Sequence, residues 1–485
     1  MSDRRSNGQR QGSTRFTRRQ ALKAGGAAAA AAVSASGVHQ VAAGSNRFRA
    51  IQSASPSPSA SLPPWEPRFD EDVTLHRFGF GTDNLTSEVR VNAFQETYPN
   101  FELQATPEIT DQKILTAVAS GDVPDLFWIG SETIQSWAAR GALESLDDLI
   151  ENDDRFDLSQ FYDSEIAKVQ YDGTTYGVPQ FVDCRPVWLD HASLDEAGIA
   201  VEDVDTSNWQ QMQDYGTKLV KKDGDQIVRW GFDTKGVNFF WMWSWGNGGQ
   251  LLSEDGKMAT FDTPENIEAL QYNIDTYNSQ GGFQTYQAFM QTTGFDGAEN
   301  FFVQHQVAMT PFESWLLGIV AEGDPNHEFT VTPFRGKDGN PYSITGGQSW
   351  AIPKGAKNKE AAWEWISYFS SPTIWVETSQ TMKQRLESEN ATYTPALTAS
   401  KVANELLRSQ VFTTTGHESF DQAVQLFPEL LDANKQAAVS PVLKEINDII
   451  TNSVTQPALN GQKSAEDALK EGQQKAQQAL DDFFK

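Results

Sequence analysis

Cysteine is almost absent from this chain. Cys184 stands alone in 485 residues, so no disulfide can close within the chain and no thiolate metal site can be assembled from it. It lies in no cysteine-protease signature and reads as a buried or incidental thiol. Basic residues are also scarce: 38 Lys and Arg against 65 Asp and Glu leave a formal net charge of −27. That balance argues against a nucleic-acid partner, whose phosphates want a basic surface, and against an anionic membrane face. So acidic a surface suits solubility in high salt and a halophilic, archaeal source. The six histidines are scattered and lack ligand spacing, so no metal and no cofactor is expected. Gly79-Phe-Gly81 lacks the third glycine of a dinucleotide fingerprint.

What is present is enough for a core. Hydrophobic residues make up 39% and aromatics 11% of the chain, which argues against general disorder. The N-terminal region, residues 1–37, reads as an address. Arg18 and Arg19 precede a weakly apolar run from Ala24 to Val33, the pattern of a twin-arginine export signal. The run is too short and too rich in alanine to read as a membrane span. Residues 38–67 are rich in Ser, Pro and Ala, a composition that stays extended and suits a spacer.

The remaining chain alternates strand and helix. Val73 to Gly79 alternates like a strand, Leu85 to Tyr98 has helical spacing, and Asn100 to Gln104 returns to a strand. This βαβ unit predicts a parallel sheet with a right-handed crossover. Ligands in open α/β sheets bind beyond the carboxyl ends of strands. Thr82, Asp83 and Asn84 occupy that position, where an ordinary helix cap is the alternative. Leu126 to Ile129 predicts a buried strand, with Trp128, Ser131 and Glu132 at its end. The long extended run Tyr171 to Leu189 predicts a passage from one sheet to another, with Asp183 facing a cleft and Arg185 or ligand hydroxyls satisfying its charge.

Three further segments carry chemistry. NFFWMWSWGNGG, Asn238 to Gly249, offers tryptophans at helical and strand spacing, most of them core and at least one free to stack on a ligand. GAENFFVQHQVAMTPFESW, Gly297 to Trp315, predicts a buried strand, Gln306 to Thr310, that ends in Glu313, Ser314 and Trp315. An acid and a hydroxyl bind OH groups, and an indole takes a C–H face, so this end suits a polyol. Gly346-Gly347, flanked by Gln348 and Trp350, predicts either a close approach of backbone to a ligand or a simple bulge.

From Val73 to Pro395 these pieces resemble, in order, extracellular solute-binding protein family 1, the maltose and multi-sugar type that feeds ABC importers. Six pieces carry the likeness by their order and spacing, among them WGNGGQLLSEDGKMATFDTPENIEALQ, VAMTPFESW and GGQSWAIPKGAKNKEAAWEWISYFSSP. The resemblance implies an α/β fold of two periplasmic-binding-protein-like lobes (type II), each a mostly parallel sheet flanked by helices, with a hinge between them. The expected division is 68–182 plus 307–371 for the first lobe and 183–306 plus 372–485 for the second. It also implies ligand contacts. These are Asp83 and Asn84 after the first strand, Trp128 and Ser131 after the next, and Asp183 at the hinge. Asn238, Trp241, Trp245 and Asn247 follow in the second lobe, then Glu313 and Trp315, then Gly346, Gly347 and Gln348, with Tyr393 in a later loop. The chain departs from maltose binders at Ser131 and Glu132, where those carry an acid and a base.

The implied function is capture of a sugar or oligosaccharide outside the cell by a monomer that hands it to membrane permease subunits. No bond is made or broken. A polyamine in the same fold is the alternative, because carboxylates beside aromatic faces attract cations. A secreted glycoside hydrolase would need two carboxylates at a defined separation, which Asp183 and Glu313 supply only nominally.

Overall fold

The computed structural model describes residues 62–82, 84–106, 111–432 and 439–485. The expected export signal, most of the Ser/Pro-rich spacer, and Asp83 lie outside the described residues. The end of the spacer is docked rather than free. Trp65 donates from Nε1 to Tyr98 Oη at 2.7 Å, Thr373 Oγ1 donates to Pro63 O at 2.9 Å, and Arg155 lies over the Trp65 ring. An aromatic side chain with a satisfied N–H is enough to hold such a segment on the body.

Twelve strands are described: β1 (Val73–Phe78), β2 (Phe101–Thr106), β3 (Leu126–Gly130), β4 (Gln170–Tyr171), β5 (Thr174–Thr175), β6 (Val178–Asp183), β7 (Val187–Asp190), β8 (Lys221–Asp223), β9 (Gln226–Phe232), β10 (Val307–Pro311), β11 (Phe329–Thr332) and β12 (Gly346–Ala351). They form two five-stranded sheets, β2-β1-β3-β12-β6 and β11-β7-β10-β9-β8, and a small β4-β5 hairpin. The predicted βαβ unit is present. β1 pairs in parallel with β2, and Asn84 caps the intervening helix Leu85–Thr97 by accepting from Ser87 N–H.

Both sheets are mixed rather than mostly parallel. β12 runs antiparallel to β3 and β6 in the first, and in the second β7 runs antiparallel to β10 and β11. The physical reason is the hinge. A strand that has crossed from the other lobe enters its sheet from the cleft end and so opposes strands that leave toward the cleft. The expected lobe boundaries shift accordingly. β10 and β11 belong to the second sheet, not the first, so the second lobe continues past 307 as far as the crossing at 333–345. The helices Pro372–Ser388 and Lys401–Leu406 stay on the first lobe, where Trp375, Met382 and Ala403 pack with Val89. The chain returns only after Phe412, and Gln422 then covers the edge of β11 by bonding both the N–H and the C=O of Val331. The last helix, Ala465–Phe484, buries Ala468, Leu469, Ala476 and Leu480 on the second lobe, as its apolar stripe predicts.

This topology aligns the functional ends. β1, β3 and β6 end at one edge of the first sheet, where β12 begins. β9 and β10 end at the facing edge of the second, where β7 begins.

Candidate functional site

At the hinge, one guanidinium holds both lobes. Arg185 Nη1 donates to Asp183 Oδ1 and, at 3.0 Å, to Ile344 O, and Nη2 lies 3.7 Å from Glu313 Oε1. The Gly346 N–H donates to Asp183 Oδ1 at 2.8 Å. The Arg185 Cζ atom lies 5.3 Å from the Phe239 ring centroid, within reach of a cation–π contact. Burial pushes the Asp183 carboxyl up to about 6, against the pull of Arg185, and the charge on Glu313 pushes the same way. Beside this cluster Glu165 is fully buried and accepts from Lys168 Nζ at 2.7 Å and Thr345 Oγ1 at 3.0 Å.

The paired glycines answer to this arrangement. A Cβ on Gly347 would lie 2.2 Å from Phe181 O, and one on Gly346 would lie 2.7 Å from Arg185 Nη2. The neighbouring strand therefore demands glycine at 347, while a side chain at 346 would displace the Arg185 guanidinium, and a register shift follows between Gln348 and Ser349.

A cleft of about 1030 Å³ opens between the lobes. Tyr162, Asp163 and Lys401 line it from the first lobe. Trp245, Glu254, Glu265 and Asp432 line it from the second. Two helices join it to the hinge. Asp163–Val169 carries Asp163 at the cleft and Glu165 and Lys168 at the hinge. Phe240–Gly246 begins beside Phe239, under Arg185, and carries Trp245 to the cleft. Its helical form resolves the tryptophan spacing in favour of period four. Tyr162 is half-buried on one wall, and Trp245 on the other is only 3% exposed, packed against Trp241 in the second lobe's core; with the carboxylates around them these walls suit a hydroxyl-rich or cationic ligand.

Of the sequence-predicted residues, Asp183, Glu313, Gly346 and Gly347 gather at the hinge and Trp245 at the cleft. Asn238 is exposed next to Phe239, and Gln348 is partly exposed where β12 leaves the hinge. Trp315 is partly buried between the rings of Phe295 and Phe312, one residue beyond Ser314, which is bonded to Cys184. Others have structural roles in this arrangement. Asn84 is the helix cap. Trp128 donates from Nε1 to Gln180 at 3.0 Å and packs edge-on against Phe80, on the helix-covered face of its sheet. Ser131 is buried, with its hydroxyl 2.7 Å from that of Ser349. Trp241 is buried in the second lobe's core and donates to Asn447 Oδ1 at 3.0 Å. Asn247 donates to Glu265 O and Glu268 Oε2 at the end of its helix. Tyr393 packs with Trp375 and Val89 in a cluster away from the hinge.

Sequence reasoning did not single out Tyr162, Glu165 or Phe239. Arg185, expected as a partner of Asp183 two residues away, is bonded to it. The histidines are a correction too. Asp190, His305 and His327 place ligand atoms within 4.8 Å of one another, although their spacing along the chain is irregular.

Comparison with known proteins adds four findings. Residues 82–374 match the sequence pattern described as bacterial extracellular solute-binding protein. A putative binding protein of Brucella abortus (strain 2308) is 24% identical over 312 residues, covering 61% of this chain and 71% of that one. An arabinooligosaccharide-binding protein of Halalkalibacterium halodurans is 27% identical over 183 residues, 37% of each chain. Among solved structures, an ABC transporter solute-binding protein of Thermotoga lettingae bound to α-D-tagatose superposes with a TM-score of 0.68 at 21% identity, covering 84% of this chain and all of that one.

Proposed function

Because the chain belongs to the bacterial extracellular solute-binding protein family, we propose that it captures a sugar or oligosaccharide in its interlobe cleft and delivers it to the permease of an ABC importer. The observation that carries this reading is the cleft itself, lined from opposite lobes by Tyr162 and Trp245. A ligand in that cleft touches both lobes, so its binding energy favours the closed arrangement over the open one. Stacking supplies affinity for C–H faces, and the acids accept hydroxyl protons. Asp183 and Glu313 share Arg185, which suits them to holding a ligand or the hinge rather than to acid–base work on a glycosidic bond. The relatives whose names state a ligand, an arabinooligosaccharide binder and a tagatose-bound protein, support a carbohydrate. The acidic surface supports a halophilic source, and Arg18-Arg19 supports export by the twin-arginine route to the outside of the cell.

A polyamine is the second reading, favoured by four carboxylates, Asp163, Glu254, Glu265 and Asp432, against the single ammonium of Lys401 among the residues named on the cleft walls. A thermal-shift screen in high salt separates the two, using arabino-oligosaccharides, malto-oligosaccharides, tagatose and spermidine. A ligand held at 100 times its Kd stabilises the fold by about 2.7 kcal/mol. A carbohydrate raising the Tm is the expected result. A shift with spermidine alone would replace the sugar with a polyamine.

A further inference from the structure

We propose that Asp190, His305 and His327 form a binding site for a divalent transition metal of the zinc type, on the second lobe at the end of its sheet away from the cleft. Asp190 ends β7. His305 stands two residues before β10 and His327 two residues before β11. These are three adjacent strands, in the order β11-β7-β10. Their register puts Asp190 opposite Phe329, at the start of β11, while Val187 pairs with the cleft ends of β10 and β11. The site is therefore separated from the hinge by the length of the sheet.

The geometry is that of a ligand set. Asp190 Oδ1 lies 2.8 Å from His305 Nδ1 and 3.1 Å from His327 Nε2. Metal–ligand distances of about 2.0–2.1 Å set a tetrahedral edge of roughly 3.3 Å; the two Asp190 contacts are close to it, and the three ligand atoms lie within 4.8 Å of one another, so the imidazole nitrogens draw together by up to about 1.5 Å to take an ion. The two imidazole rings stack, with centroids 4.8 Å apart and planes inclined by 21°. The other oxygen of Asp190 is taken, since Oδ2 accepts from the N–H and the hydroxyl of Ser193. That orients the carboxylate with Oδ1 toward the histidines, as an outer hydrogen bond does at a metal centre.

His327 supplies the second observation. It is 3% exposed, and neither ring nitrogen has a well-aligned hydrogen bond among the described residues. A buried imidazole aimed at a carboxylate yet poorly bonded to it is costly unless something else satisfies it, and a metal on Nε2 would do so. His305 is about half exposed and takes a positive φ of 53°. That strained backbone turns its ring toward Asp190 and leaves the ion open to water on one side, giving two imidazoles, one carboxylate and water. Asp324 adds a further negative charge near His305, and Arg229 opposes it. The ion would fasten the ends of three strands together.

The full-length protein, stripped with chelator and returned to buffer, is titrated with zinc by calorimetry and with cobalt(II) in the visible. The expected result is one ion per chain, the d–d bands of a tetrahedral cobalt centre, and a Tm raised by zinc and lowered again by chelator. His305→Gln, at the exposed ligand, folds as the parent does and binds zinc at least about 100-fold more weakly. His327→Gln removes the site altogether, while sugar affinity in His305→Gln stays unchanged. Absence of saturable binding would overturn the proposal. So would equal zinc affinity in the parent and His305→Gln, which would assign the ion to surface carboxylates and leave the three residues a hydrogen-bonded network.

Discussion

Two aspartates seven residues apart, Asp183 and Asp190, are both buried, and their surroundings drive their carboxyls in opposite directions. At the cleft end, Asp183 has one backbone N–H and one arginine shared with Glu313, and burial outweighs them and raises its pKa. At the far end, Asp190 accepts from His305 and Ser193 with His327 close by, and those donors hold its carboxyl well below the usual carboxylate range. Depth is similar in the two places. The number and commitment of donors decides the outcome. The lesson is functional. The cleft end divides one cation between two acids, while the far end aims one carboxylate at two imidazoles.

The largest expected effect comes from removing the shared cation. Arg185→Ala leaves Asp183 buried and unpaired beside Glu313, and should destabilise the fold by about 3–5 kcal/mol, read from urea unfolding. A loss below about 1 kcal/mol would mean that water already carries the charge. Next comes pH. A folded-state pKa raised to about 6 means that the native state holds its proton more tightly than the unfolded chain. This contribution is fully present below the ordinary carboxylate range. It is lost as pH rises through about 6, by up to about 3 kcal/mol. Asp183→Asn should flatten that part of the stability profile, and an unchanged profile would show that Arg185 keeps Asp183 ionised throughout. The smallest effect belongs to a residue outside both places. Asn84→Ala should lose about 1 kcal/mol of stability through the helix cap and leave ligand affinity unchanged. A large affinity loss would return Asn84 to the site.

The same contrast explains what could be read from the sequence. β1, its following helix and β2 were legible because alternation and caps are local signals. So was the acid-ended strand at Glu313. The lobe membership of β10 was not legible, because a buried strand carries no mark of its partners, and those partners are β7 and β9. Trp241 and Trp245 look alike in sequence and are equally buried, yet one donates to Asn447 and the other reaches the cleft wall. Asp190 and His305 are 115 positions apart, so no spacing rule finds them. The glycine pair was legible as a close approach, but what approaches is the Phe181 carbonyl.

The most direct test is calorimetric titration of the full-length protein and of Tyr162→Ala, at the half-buried ring on the cleft wall, with the carbohydrate that gives the largest thermal shift. The account predicts saturable one-to-one binding to the parent and at least about tenfold weaker binding to the variant, a stacking contribution of about 1.4 kcal/mol or more, with the fold intact. Equal affinity in the two proteins would contradict it and move the ligand away from the Tyr162–Trp245 cleft.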